Sequence, residues 1–88
     1  METIQISTVS SQHVTADHWP GDHTPVLLAH GGGQTRHSWG GTAEKLASNG
    51  HRVVSIDLRG HGDSSWDADA DYSMAAYCAD AQHVVEWI

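Results

Sequence analysis

Two stretches of this sequence suit catalysis or ligand binding. The first is His30-Gly31-Gly32-Gly33, which directly follows the apolar run Val26-Leu27-Leu28-Ala29. A glycine triplet after such a run lets backbone N–H groups turn toward a ligand without a Cβ in the way. Donors of that kind can hold the negative charge that develops on a carbonyl oxygen during acyl transfer. They can also cradle a phosphate at the start of a following helix, or simply form a tight turn. Spacing weighs against the phosphate, because a G-x-G-x-x-G fingerprint begun at Gly31 meets Arg36 where its last glycine belongs, and no G-x-x-x-x-G-K-[ST] occurs. Asp57 nevertheless stands where a ribose-binding acid would follow, so the readings stay open on the residues alone.

The second stretch is Asp57-Leu58-Arg59-Gly60-His61-Gly62-Asp63-Ser64. Two glycines one residue apart, between acidic, basic and hydroxyl side chains, read as a loop folded sharply back and held by side-chain bonds to backbone. Arg59 either braces that loop or binds a substrate carboxylate. His30 is expected to orient the glycine turn rather than to act as a base. His13, His18 and His23 recur every five residues, which places them on no common helix or strand face, and no zinc signature is present, so no metal site is expected. Cys78 is expected as a buried, unreactive thiol, and Trp39 and Trp66 as pocket-lining or core residues.

These residues need elements to position them. Ile4 and Ile6, then Val14 and Ala16, alternate with polar residues around Ser10-Ser11-Gln12, which predicts an antiparallel hairpin. Trp19 to Pro25 is dense in turn formers and ends the pair. Val26–Ala29 reads as a strand covered on both faces. Trp39, Ala43, Leu46 and Ala47 mark one face of a helix that Asn49-Gly50 stops. Arg52–Asp57 is a second β-branched run, so residues 25–57 form a strand, helix, strand crossover with parallel strands. Leu58 to Tyr72 reads as loop. Ser73 caps a final helix whose predicted apolar face is Met74, Tyr77, Cys78, Ala81, Val84 or Val85, and Ile88.

Composition bounds the rest. At 88 residues the chain is less than one typical domain, and a fold of that size buries only roughly 60 to 68% of its unfolded surface. Seven Val, four Leu, four Ile and no Phe, with a net charge of −7, leave too little core for the strand signals present. Four basic residues cannot build a phosphate-neutralising stripe, so nucleic-acid partners are excluded. No apolar run approaches the roughly 20 residues of a membrane span. A single cysteine and no secretory signal point to the cytoplasm.

The order of the motifs carries a resemblance. His30-Gly31-Gly32-Gly33-Gln34-Thr35 with Ser38-Trp39, followed after a helix and a strand by Asp57-Leu58-Arg59-Gly60-His61-Gly62-Asp63-Ser64, resembles the N-terminal part of an α/β-hydrolase-fold enzyme. The likeness runs along nearly the whole chain and is nearest to the epoxide hydrolase, haloperoxidase and esterase branch. It implies an α/β class partial domain over residues 1–88, with strands one to four and the first two helices of an eight-stranded, mostly parallel sheet, truncated before the nucleophile elbow. It further implies that Gly32 donates a backbone N–H to an oxyanion with Gly33 beside it, while His30, Gly31, Asp57 and Arg59 support the loops. That branch often has Pro where this chain has Gly33. No G-x-S-x-G occurs, so the nucleophile, acid and catalytic His are expected beyond Ile88, and these 88 residues alone are expected to be inactive. The intact enzyme would act on a small ester-like substrate without a cofactor. Two other functions remain: a module that self-associates through the open edge at Val26–Ala29, and a mononucleotide-binding half-domain.

Overall fold

The computed structural model describes residues 1–8, 12–66 and 70–88. Strand β1 (Glu2–Ser7) pairs antiparallel with β2 (His13–Trp19), with Ile4 opposite Ala16 and Ile6 opposite Val14. The predicted hairpin is therefore formed; most of its Ser10-Ser11-Gln12 turn lies outside the described residues. Strand β3 (His23–Ala29) begins earlier than the turn formers suggest. It leads through a 3₁₀ turn (Arg36–Trp39) into α1 (Gly40–Ser48), then β4 (His51–Ile56) and α2 (Met74–Trp87).

The sheet order is β1-β2-β4-β3, with β2 antiparallel and β3 parallel to β4. The predicted strand, helix, strand crossover is thus present. Its β3 register slips between His23 and Val26, where Pro25 has no N–H to give the ladder. Helix α1 stops at Gly50 (φ +89°), after Asn49 and Gly50 donate to the carbonyls of Leu46 and Ala47.

The core lies mainly on one sheet face, where Ile6, Val14, Ala16, Val54 and Ile56 meet Val84 of α2. Val53 and Ser55 alternate to the other face, toward buried Ala43 of α1 and buried Arg36. All four residues Val53–Ile56 are buried, so the strand covered on both faces is β4. Strand β3 was expected in that role, but Val26–Leu28 are only half-buried and Ala29 is exposed, because β3 ends the sheet and pairs on one side.

Helix α2 corrects a second expectation. Ser73 caps it as predicted, its Oγ accepting from the Ala76 N–H. Of the expected apolar face, Val84 is buried and Tyr77, Ala81 and Ile88 are half-buried, but the other buried residues are Ala76 and Asp80, whereas Met74 and Val85 are 76% and 55% exposed and Cys78 lies on the surface. The helix is rotated from its apolar stripe because Arg59 holds Asp80 through two parallel bonds, Nε to Oδ2 at 2.7 Å and Nη2 to Oδ1 at 2.8 Å. Trp39 and Trp66, at 37% and 75% exposure, are not core residues either.

Candidate active site

The glycine triplet leaves the carboxyl end of β3 beside the carboxyl end of β4, since Ala29 pairs with Ile56. A turn closes across it. The Gln34 N–H donates to the Gly31 carbonyl at 3.2 Å, and the Gly31 N–H donates to Gln34 Oε1 at 3.1 Å. Gly33 takes the left-handed conformation this turn needs, at φ +75°. Among the described residues, the N–H groups of Gly32 and Gly33 have no partner, and both glycines are exposed. Two adjacent N–H donors in exposed residues are thus left unpaired at the sheet edge.

Both ends of this turn are tied to the end of β4. On one side buried His30 accepts the Leu58 N–H at Nε2, 3.0 Å, so its proton sits on Nδ1, which donates to the Gly31 carbonyl at 2.7 Å. On the other side Arg36 is fixed three times. Its N–H donates to Asp57 Oδ1 at 2.6 Å, its Nη1 to Asp57 Oδ2 at 2.5 Å, and its carbonyl accepts from Ser55 Oγ at 2.8 Å. Nη1 also reaches Asp63 at 3.0 Å, and Nε stands 3.1 Å from Asp17 Oδ1 as an ion pair without an aligned hydrogen bond. Burial opposes the guanidinium charge, but the carboxylates of Asp63, Asp57 and Asp17 outweigh it and push the Arg36 pKa above its ordinary value. Asp57 has no exposed surface. Burial alone would raise its pKa, yet the N–H groups of Arg36 and Asp63 and the guanidinium hold it below the usual carboxylate range.

The Asp57–Ser64 loop has the folded-back form its glycines suggest. Gly60 and Gly62 have φ of +74° and +49°. A Cβ on Gly62 would stand 2.5 Å from Asp57 Cγ, so only glycine lets the loop close over the carboxylate. Ser64 Oγ donates to the Asp57 carbonyl at 2.5 Å and accepts from the Thr15 N–H at 2.9 Å. Arg59, besides its pair with Asp80, donates to the Asp71 carbonyl at 2.9 Å. Arg59 as a whole is only 3% exposed, which makes it a brace rather than a substrate binder.

Of the residues singled out from sequence, His30, Gly31, Gly32, Gly33 and Asp57 come together at the β3 and β4 ends, and Arg59 braces the loop behind them. Asp57 is not available to a ribose, because both of its oxygens accept protein donors. Cys78 is apart, on the outer side of α2. His13 contacts the Asp63 carbonyl, His18 contacts Glu2 and Arg52, and His23 contacts the Asn49 carbonyl. Among the described residues, no group of three His, Cys, Asp or Glu could hold a metal. A surface concavity of about 450 Å³ lined by Met1, Trp19, Glu44, Ala47 and Ser48 lies at the opposite end of the sheet. Sequence reasoning singled out Asp57 but missed its partner Arg36, and Asp17 beside it. The available signal was scarcity, since a chain with four bases and eleven acids places one of its arginines three residues past the glycines.

The model of the alpha/beta hydrolase fold family matches residues 24–87. The chain belongs to that family. It is 35% identical over 69 residues to an esterase of Mycobacterium tuberculosis, covering 78% of this chain and 22% of the esterase. It is 33% identical over 88 residues to protein phosphatase methylesterase 1 of Mus musculus, covering 98% of this chain and 23% of the relative. The thioesterase domain from the curacin biosynthetic pathway superposes with a TM-score of 0.90 at 30% identity, over 100% of this chain and 33% of that domain. The chain therefore spans less than a quarter of the length of these curated relatives. Among the described residues, no helix is long and apolar enough to cross a membrane.

Proposed function

We propose that these 88 residues are the N-terminal part of an α/β-hydrolase that cleaves small ester-like substrates, and that they supply its oxyanion-binding loop. The observation that carries this reading is the pair of unpartnered N–H groups on Gly32 and Gly33 at the carboxyl ends of β3 and β4. Attack on the substrate carbonyl by a serine or aspartate outside these residues moves an electron pair onto the carbonyl oxygen. The Gly32 N–H and one from the residue after the nucleophile receive that charge, and the fixed donors cost little reorganisation when it forms. His30 holds the turn at its entry. Relatives named as an esterase, a methylesterase and a thioesterase support an acyl substrate. The lone Cys78 accords with a cytoplasmic setting.

The test compares the purified 88-residue chain with the product of the complete reading frame on p-nitrophenyl acetate. The chain alone is expected to match a mock-purified control, and the complete protein to turn over. Activity of the chain alone, or none from the complete protein on acetate, butyrate and thioester substrates, overturns the reading.

A further inference from the structure

The buried charge cluster around Arg36 has no part in the chemistry just described, and its position is its most informative property. Residues 31–35 form a five-residue bridge. One pier is His30, bound to the Leu58 N–H. The other is Arg36, whose N–H, carbonyl and guanidinium are all bound to Ser55 or Asp57. Within the bridge, Gln34 grips Gly31 in both directions, so a displacement of Arg36 passes through Thr35 and Gln34 to the turn holding Gly32 and Gly33. Glycine triplets are otherwise free to sample many backbone conformations, and the bridge contains no apolar residue that could anchor it in the core.

We propose that Arg36 is a positioning residue for the oxyanion-binding N–H groups, acting through its fork to Asp57 and Asp63. This rests on the reading of Gly32 and Gly33 given above. Lysine at this place keeps one charge but cannot bond Asp57 and Asp63 while matching the Asp17 contact, so the pier loosens without removing the cation.

The experiment measures kcat and KM on p-nitrophenyl acetate, with melting temperature, for the complete protein carrying Arg36→Lys, Asp63→Asn or Val84→Ala. Val84 is fully buried in the α2 face of the core and touches no part of the bridge, so its variant reports the effect of lost stability alone. Arg36→Lys is expected to lower kcat on the order of 10²-fold with KM within about threefold, the loss expected when donors miss the oxyanion by about 1 Å. Asp63 is 71% exposed at the rim of the cluster, so Asp63→Asn should fold and lower kcat several-fold even where Arg36→Lys does not fold. Val84→Ala should lower the melting temperature and leave both constants unchanged. Unchanged kcat in both cluster variants, or an equal fall of kcat in Val84→Ala, overturns the proposal. Loss of activity in the unsubstituted protein instead overturns the oxyanion reading on which it rests.

Discussion

Replacing Gly62 with alanine tests the central claim about the loop over Asp57 without reference to activity. The residue has φ +49°, a conformation that costs an L side chain about 1–2 kcal/mol. The added Cβ would lie 2.5 Å from Asp57 Cγ, 2.7 Å from Oδ1 and closer still to Oδ2, so the carboxylate must move by close to an ångström. Oδ2 is the oxygen that accepts both Arg36 Nη1 and the Asp63 N–H. Bonds to charged groups contribute about 1.5–3 kcal/mol each, and partial relaxation should leave a net loss of about 4 kcal/mol. That is a large part of the roughly 5–15 kcal/mol that holds a domain together. Gly32→Ala is the matched control, because a Cβ there meets nothing within 4 Å, and its effect should stay within about 1 kcal/mol. Urea unfolding followed by tryptophan fluorescence reports both. If the two variants unfold within about 1 kcal/mol of each other, Asp57 is not the keystone of the loop.

The pH dependence has a fixed sign. Asp57 is held below its ordinary pKa of 3.8, so its stabilisation is present above that value and is lost as pH falls through the lower folded-state pKa. Unfolding free energy should therefore fall steeply with acid below about pH 4, and Asp57→Asn, less stable at neutral pH, should flatten that fall; an unchanged slope refutes the assignment. Gln34→Glu keeps an acceptor for the Gly31 N–H but adds a negative charge beside the proposed oxyanion donors, so kcat of the complete protein should drop roughly ten- to a hundredfold. A change under twofold would argue that no oxyanion forms there. Asp80→Asn removes the carboxylate that accepts both parallel bonds from the buried Arg59 and should cost about 3–5 kcal/mol in a urea melt, with a loss below about 1 kcal/mol counting against the anchoring of α2. The 88-residue chain by itself presents β3 as an unpaired edge, and its mass in sedimentation equilibrium should rise with concentration; a monomer throughout would remove the edge as an association surface.

What could be read from sequence was what depends on local pattern. The hairpin, the crossover, the Gly50 stop and the Ser73 cap each follow from periodicity or from one residue's conformational preference, and all are present. Coverage is not local. Four apolar residues at Val26–Ala29 do not reveal how many neighbours the strand has, and the more polar Arg52-Val53-Val54-Ser55 run is the better buried. Helix rotation is not local either. A hydrophobic stripe put Cys78 inside, yet Arg59, 21 residues before Asp80 in the chain, turns Asp80 inward instead. Charged pairs of this kind are invisible to hydropathy because each partner alone reads as surface.

The same blindness hid Arg36, and the electrostatics around it bear on the proposed chemistry. A loop proposed to receive an anion lies next to three carboxylates and one guanidinium, whose net negative charge opposes it. The pairing of the carboxylates resolves the conflict. Asp57 is satisfied within the cluster by two N–H groups and a guanidinium. Asp63 is largely exposed, so water screens it, and the Asp17 charge is set against the Arg36 Nε. Among the described residues, the Gly32 and Gly33 N–H groups have no acceptor. A carboxylate that spent its lone pairs on those glycines would have made the turn just as rigid and useless for binding. By anchoring the bridge at His30 and Arg36 instead, the chain fixes the donors while leaving them unpaired, which is the condition electrostatic preorganisation requires.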